Sequence, residues 1–145
     1  MNHDNPIFSA GDVAAILGEP EAAVRRWHHT GFARHFGRKA GYNVVYSCRD
    51  IAGFKVARDL VVLGFPPPLA ARVGAIAVFA EPKPDAVLRG RPDQIASIAP
   101  PSGSGIAMDR CVWRVPAATS AKIEIPIGRI WSDVVAKTEG RAGHG

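Results

Sequence analysis

Residues 8–32 read FSAGDVAAILGEPEAAVRRWHHTGF, and their reading decides the fold. Ser9, three residues before Asp12, marks a helix start: its hydroxyl can accept from an orphan amide while Asp12 lies at the positive end of the helix. Val13, Ile16 and Leu17 recur at helical spacing and Gly18 ends the run. Pro20 suits the first turn of a second helix, where its missing donor costs nothing. That helix is expected to run to about Thr30, with Gly31 as its stop. Helix, tight glycine-containing turn and helix is the helix-turn-helix arrangement.

A helical wheel of the second helix separates two faces. Ala23, Val24 and Trp27 share one side and are expected to pack on the first helix, so Trp27 reads as core rather than as a base-stacking ring. Ala22, Arg25, Arg26 and His29 point the other way. Two arginines and a histidine around a small alanine suit entry into a major groove. The charge continues with Arg34, Arg38, Lys39 and Arg49, and no Asp or Glu lies between Ala22 and Arg49. Each phosphate neutralised by Lys or Arg releases condensed counterion, which supplies much of the affinity for nucleic acid.

Working outward, Tyr42, Val44, Val45 and Tyr46 follow a turn at Ala40-Gly41 and predict a short strand. Arg38 and Lys39 would then sit near the tip of a basic hairpin. Ser47 and Asp50 repeat the start signal for a helix over about Arg49 to Leu63, burying Ile51, Phe54, Ala57 and Leu60 or Val61, with Gly64 as its stop. Pro66-Pro67-Pro68 predicts an extended break, followed by a helix carrying Leu69, Val73 and Ile76 towards Phe79. A compact unit thus closes near residue 80.

Beyond Glu81 the prolines at 82, 84 and 92 interrupt the chain, and Pro100 to Gly105 reads as a flexible loop. Strands are expected at Ala86–Leu88, Cys111–Val115 and Lys122–Ile127, where Ile123, Ile125 and Ile127 alternate with polar residues. Ile130, Trp131, Val134 and Val135 form the apolar stripe of a last helix, and the tail from Glu139 is expected to fray. The fold class expected is α+β: an N-terminal winged helix-turn-helix over residues 1–80, then a small strand-helix module over 81–145 for dimerisation or partner contact.

The chain has 145 residues, with 47% hydrophobic and 21% charged residues, ordinary values for a folded domain. A formal charge of +5 and a pI near 9.7 favour a polyanionic partner. Cys48 and Cys111 lack the spacing of a zinc site or a disulfide framework, so they read as reduced, incidental thiols. The amino terminus has no basic and apolar leader, and no apolar run is long enough to cross a bilayer. A cytoplasmic protein with no membrane partner is expected.

Phe8-Ser9-Ala10-Gly11-Asp12-Val13-Ala14, Val24-Arg25-Arg26-Trp27, Gly31-Phe32, Gly41-Tyr42, Tyr46-Ser47, Arg49-Asp50-Ile51 and Leu60–Phe65, in that order, resemble the amino-terminal domain of MerR-type winged helix-turn-helix regulators. The resemblance covers about half the chain. It implies a homodimer that places two recognition helices in successive major grooves, with wings on flanking phosphate. Arg25 and Arg26 match positions on the DNA-facing helix, and Tyr46 matches the tyrosine after the wing. Three departures stand out. Asn43 replaces the family's wing arginine and one residue is added, the prolines at 82, 84 and 92 exclude the long dimer helix, and the metal-sensing cysteines have no counterpart.

The function expected is a sequence-specific double-stranded DNA-binding transcriptional regulator. Its recognition helix would span about 20–30 and its basic wing about 34–46, with RNA polymerase or another protein as a further partner. The expected DNA-contacting set is Ala22, Arg25, Arg26, His29, Arg34, Arg38, Lys39, Tyr46 and Arg49. A second reading keeps this domain in a phage or mobile-element protein, such as a small terminase subunit or an excisionase. An enzyme is disfavoured: adjacent His28 and His29 diverge by about 100° on a helix, and no metal pair, phosphate loop or activated serine motif is present. No catalytic residue, metal or cofactor is expected. Trp113 and Trp131, which could line an effector pocket, read as core.

Overall fold

A computed structural model describes residues 2–98 and 121–142, and over these the chain is a mixed α+β fold. It opens with β1 (Phe8–Ser9), α1 (Ala10–Leu17) and α2 (Glu21–Trp27). The Ser9 hydroxyl accepts from the Asp12 amide at 3.1 Å and the Asp12 carboxylate accepts from the Ser9 amide at 2.9 Å, a reciprocal cap that fixes the start of α1. Gly18 closes α1, and Pro20 stands as the residue flanking α2 rather than inside its first turn. α2 is also shorter than expected. After Trp27 the backbone opens into a wide turn, His28–Phe32, in which Gly31 takes a φ of +133°. A β-carbon at Gly31 would come within 3.2 Å of Pro67 and Pro68, so the glycine both bends the chain and lets it lie on those prolines.

Strands β2 (Arg38–Ala40) and β3 (Asn43–Tyr46) form an antiparallel hairpin, with Arg38 opposite Val45 and Lys39 opposite Val44. Its turn is Gly41-Tyr42, with φ +65° at Gly41 only, the pattern of a two-residue turn that matches strand twist. Arg38 and Lys39 therefore lie along β2, and the fully exposed Tyr42 occupies the tip. β1 pairs with the other edge of β3, Phe8 opposite Tyr46, giving the order β1-β3-β2.

A second reciprocal cap, Ser47 with Asp50, starts α3 (Cys48–Val62). Ile51, Phe54, Ala57 and Leu60 are buried as expected, together with Val56. The prolines do not make a break: α4 (Pro67–Phe79) begins within them, Pro66 flanking it and Pro67 opening it, where the absent amides would be unpaired anyway. α4 buries Leu69, Val73 and Val78, while Ile76 faces outward.

The described part of the remainder comprises β4 (Leu88–Gly90), α5 (Pro92–Ala96), β5 (Ile123–Ile125) and α6 (Ile127–Ala142). β4 and β5 pair antiparallel, with Arg89 opposite Glu124 and their side chains 2.7 Å apart. The core does not divide at residue 80. Ile130, Trp131 and Val134 of α6 join the same buried cluster as Val13, Ile51 and Phe54. Buried Thr138 donates to Cys48 Sγ at 3.3 Å, and Arg141 meets Asp12 at 2.8 Å. The helix thus continues past Glu139, where fraying is expected to begin, as far as Ala142. The strand expected at Cys111–Val115, Trp113 and the loop over 100–105 lie outside the described residues. Among the described residues, no helix is long and apolar enough to cross a membrane.

Candidate nucleic-acid interface

α2 turns Val24 into the core and leaves Ala22, Arg25 and Arg26 exposed, as is His29 just beyond its end, the two faces drawn from the wheel. Trp27 is half-buried and packs against Phe54, with 6.1 Å between ring centres. The Arg58 guanidinium lies 4.8 Å from the centre of the same indole. Arg58 is itself held by Glu19 at 2.6 Å. These contacts make Trp27 a packing residue.

The exposed cations differ in how free they are. Arg25 pairs with Glu21 at 2.6 Å, one helical turn back and just outside the acid-free span. Such an exposed pair holds its partner only weakly. Arg26, Arg34, Arg38 and Lys39 are exposed and make no ion pair among the described residues. α2, the segment after it and β2 thus carry four cations that no acid among the described residues neutralises.

Two expected contact residues, Arg49 and Tyr46, are not exposed. Arg49 is committed to the fold. It donates through Nε to Asp4 at 2.7 Å, through Nη1 to the carbonyls of Val78 and Phe79 at 3.1 and 2.6 Å, and through Nη2 to Glu81 at 3.2 Å. Its guanidinium also lies over the Trp131 ring at 5.4 Å. All three of its nitrogens are thus engaged, Nη1 at the carbonyl end of α4 and the other two with carboxylates, and the planar fork that would grip a phosphate is occupied. Tyr46 is only 1% exposed, its ring set edge-on to His28 and Phe54. Burial pushes its phenol up to about 12, against the pull of Arg25, so the hydroxyl remains a proton donor.

A cleft of about 170 Å³ separates the end of α2 from β3 and is lined by Arg25, His28, His29, Asn43 and Tyr46, among others. His28 and Asn43 are not among the expected contacts. His28 is 7% exposed, and its Nδ1 has no hydrogen-bond partner. Burial, and then the neighbouring His29, lower its pKa. Spacing could have flagged it, since His28 falls four residues after buried Val24 and so shares its face. Among the described residues, no cluster of three His, Cys, Asp or Glu side chains is arranged to hold a metal.

Comparison of the chain with protein-family models, with curated proteins and with solved structures returned no match.

Proposed function

We propose that this protein binds double-stranded DNA as a winged helix-turn-helix regulator of the MerR type. In this reading α2 enters a major groove and the β2–β3 hairpin is the wing resting on phosphate. The observation that carries it is the set of exposed cations Arg26, Arg34, Arg38 and Lys39, unpaired among the described residues, on α2 and the turn and hairpin that follow. A major groove about 12 Å wide admits one helix, and small Ala22 beside Arg25 and Arg26 lets that helix approach the base edges. Arg26 has the freer guanidinium for reading a guanine, because Glu21 competes for Arg25. Arg38 and Lys39 on an exposed edge strand supply charge without base information.

A single unit of this size offers little groove contact, so the active species is proposed to be a homodimer. Regulation of transcription, with RNA polymerase or another protein as partner, follows from the same reading. Selection of duplexes from a random pool by the full chain, followed by binding titrations across salt, tests it. Enrichment of one sequence is the expected result, with log affinity falling against log salt by about 3 units per protomer for phosphate contacts by Arg34, Arg38 and Lys39. Binding that enriches no sequence, or that ignores salt, would overturn it.

A further inference from the structure

The cleft between α2 and β3 is lined by proton donors from both sides. Arg25 and His29 lie on the helical side, Asn43 and Tyr46 on the strand, and His28 is among the lining residues. Among its described lining residues there is no Asp or Glu. Two of the polar groups are unsatisfied. The Nδ1 of the nine-tenths buried His28 has no partner, and the Tyr46 hydroxyl makes no hydrogen bond among the described residues. A buried polar group is nearly always paired, so the orphaned Nδ1 of His28 at this cleft calls for an explanation.

The size narrows the choice. About 170 Å³ is well below the roughly 300–1,000 Å³ of sites for drug-sized molecules, yet equals the liquid volume of about five or six waters. A small group with several acceptor oxygens and negative charge fits both the volume and the donors. Arg25 can present two parallel N–H groups to such an oxyanion, and its exposed pairing with Glu21 is readily exchanged.

We infer that this cleft is a phosphate-binding site in which Arg25, His29 and the Tyr46 hydroxyl converge on one phosphate group. The phosphate belongs either to the DNA backbone or to a free ion, and its chemistry is the same in both. The DNA source rests on the function proposed above, whereas the site itself stands on the cleft.

The test follows the imidazole nitrogens of His28 and His29 by NMR in the full chain, titrated with inorganic phosphate and, separately, with a duplex of mixed sequence. Saturable shifts of both rings are expected. They should weaken at least tenfold in Arg25→Gln, an exposed change, and also weaken in Tyr46→Phe, which keeps the buried ring. Response to the duplex alone assigns the backbone as source. Response to phosphate with no duplex binding keeps the site and overturns the DNA reading. Tight duplex binding with both rings silent in both titrations overturns the site and leaves the DNA reading intact. Shifts that are unchanged in both variants also overturn it.

Discussion

Gly53 and Gly74 face each other where α3 crosses α4, closely enough that a β-carbon on Gly74 would stand 2.5 Å from the Gly53 carbonyl oxygen. The same atom would lie 3.0 Å from the Ala57 amide nitrogen, and a β-carbon on Gly53 would meet the Phe36 ring at 2.6 Å. The two main chains touch, and neither can give way as a flexible side chain would. Gly74→Ala should therefore destabilise the fold by about 1–3 kcal/mol, the range for overpacking a filled core. Gly140, near the end of α6, has nothing within 4 Å of its would-be β-carbon. Gly140→Ala should stabilise by about 0.5–1 kcal/mol through helix propensity. Urea unfolding of the two variants checks both signs, and equal effects would show that the crossing is looser than described.

Arg49 is expected to matter for stability and not for DNA. It bridges the amino-terminal segment, through Asp4, to the last carbonyls of α4 and to Glu81. Lysine cannot reproduce this planar fork. Arg49→Lys should cost about 2 kcal/mol or more, given the strength of hydrogen bonds from charged groups, while leaving the salt dependence of DNA binding unchanged. A fall of about one unit in the salt slope with stability intact would return Arg49 to the interface.

The elements legible in the sequence are those fixed by neighbours in the chain. Ser9 with Asp12 and Ser47 with Asp50 are three-residue signals, and both helices begin where these pairs sit. The exposed face of α2 is equally legible, because a wheel needs only spacing. The misplaced features depend on distant partners. β1 is two residues long and exists because β3 offers it an edge, so no periodicity could reveal it. Arg49 belongs to a basic surface by composition, and only the approach of Asp4, Glu81 and the end of α4 removes it from there. The stripe of α6 predicts a buried helix but not its burial in the same core as α1 and α3. Three prolines in a row suggest a break by what they forbid, yet at the first turn of a helix they forbid nothing.

Stability should fall on mild acidification. Burial, and then His29, hold His28 below the ordinary histidine value of 6.5; burial, and then Arg72 and Arg34, do the same for His35. A lowered folded value means that the unfolded chain binds more protons once the pH drops beneath 6.5. Their contribution is thus complete above that pH and is lost as the pH falls towards the folded values. The urea midpoint is expected to be lower at about pH 5.5 than at about pH 7.5, and His35→Gln should flatten the difference. A midpoint that rises on acidification would contradict the burial of both rings.

The helix and the hairpin should fail differently when their cations are removed. Arg26 is exposed on α2 and makes no ion pair among the described residues, so Arg26→Ala should leave the urea midpoint unchanged. If Arg26 reads a guanine edge, its loss should reduce discrimination at one base pair by about 1–3 kcal/mol. Arg38 and Lys39 lie on the exposed strand β2, opposite Val45 and Val44. Replacing either with alanine should weaken matched and mismatched duplexes alike and lower the salt slope by about one unit per contact. Titrations of the three variants on matched and singly mutated duplexes, at several salt concentrations, separate the two behaviours. Uniform weakening by Arg26→Ala would show that α2 contacts the backbone rather than the bases, and a change in base preference from Arg38→Ala or Lys39→Ala would move the reading function to the hairpin.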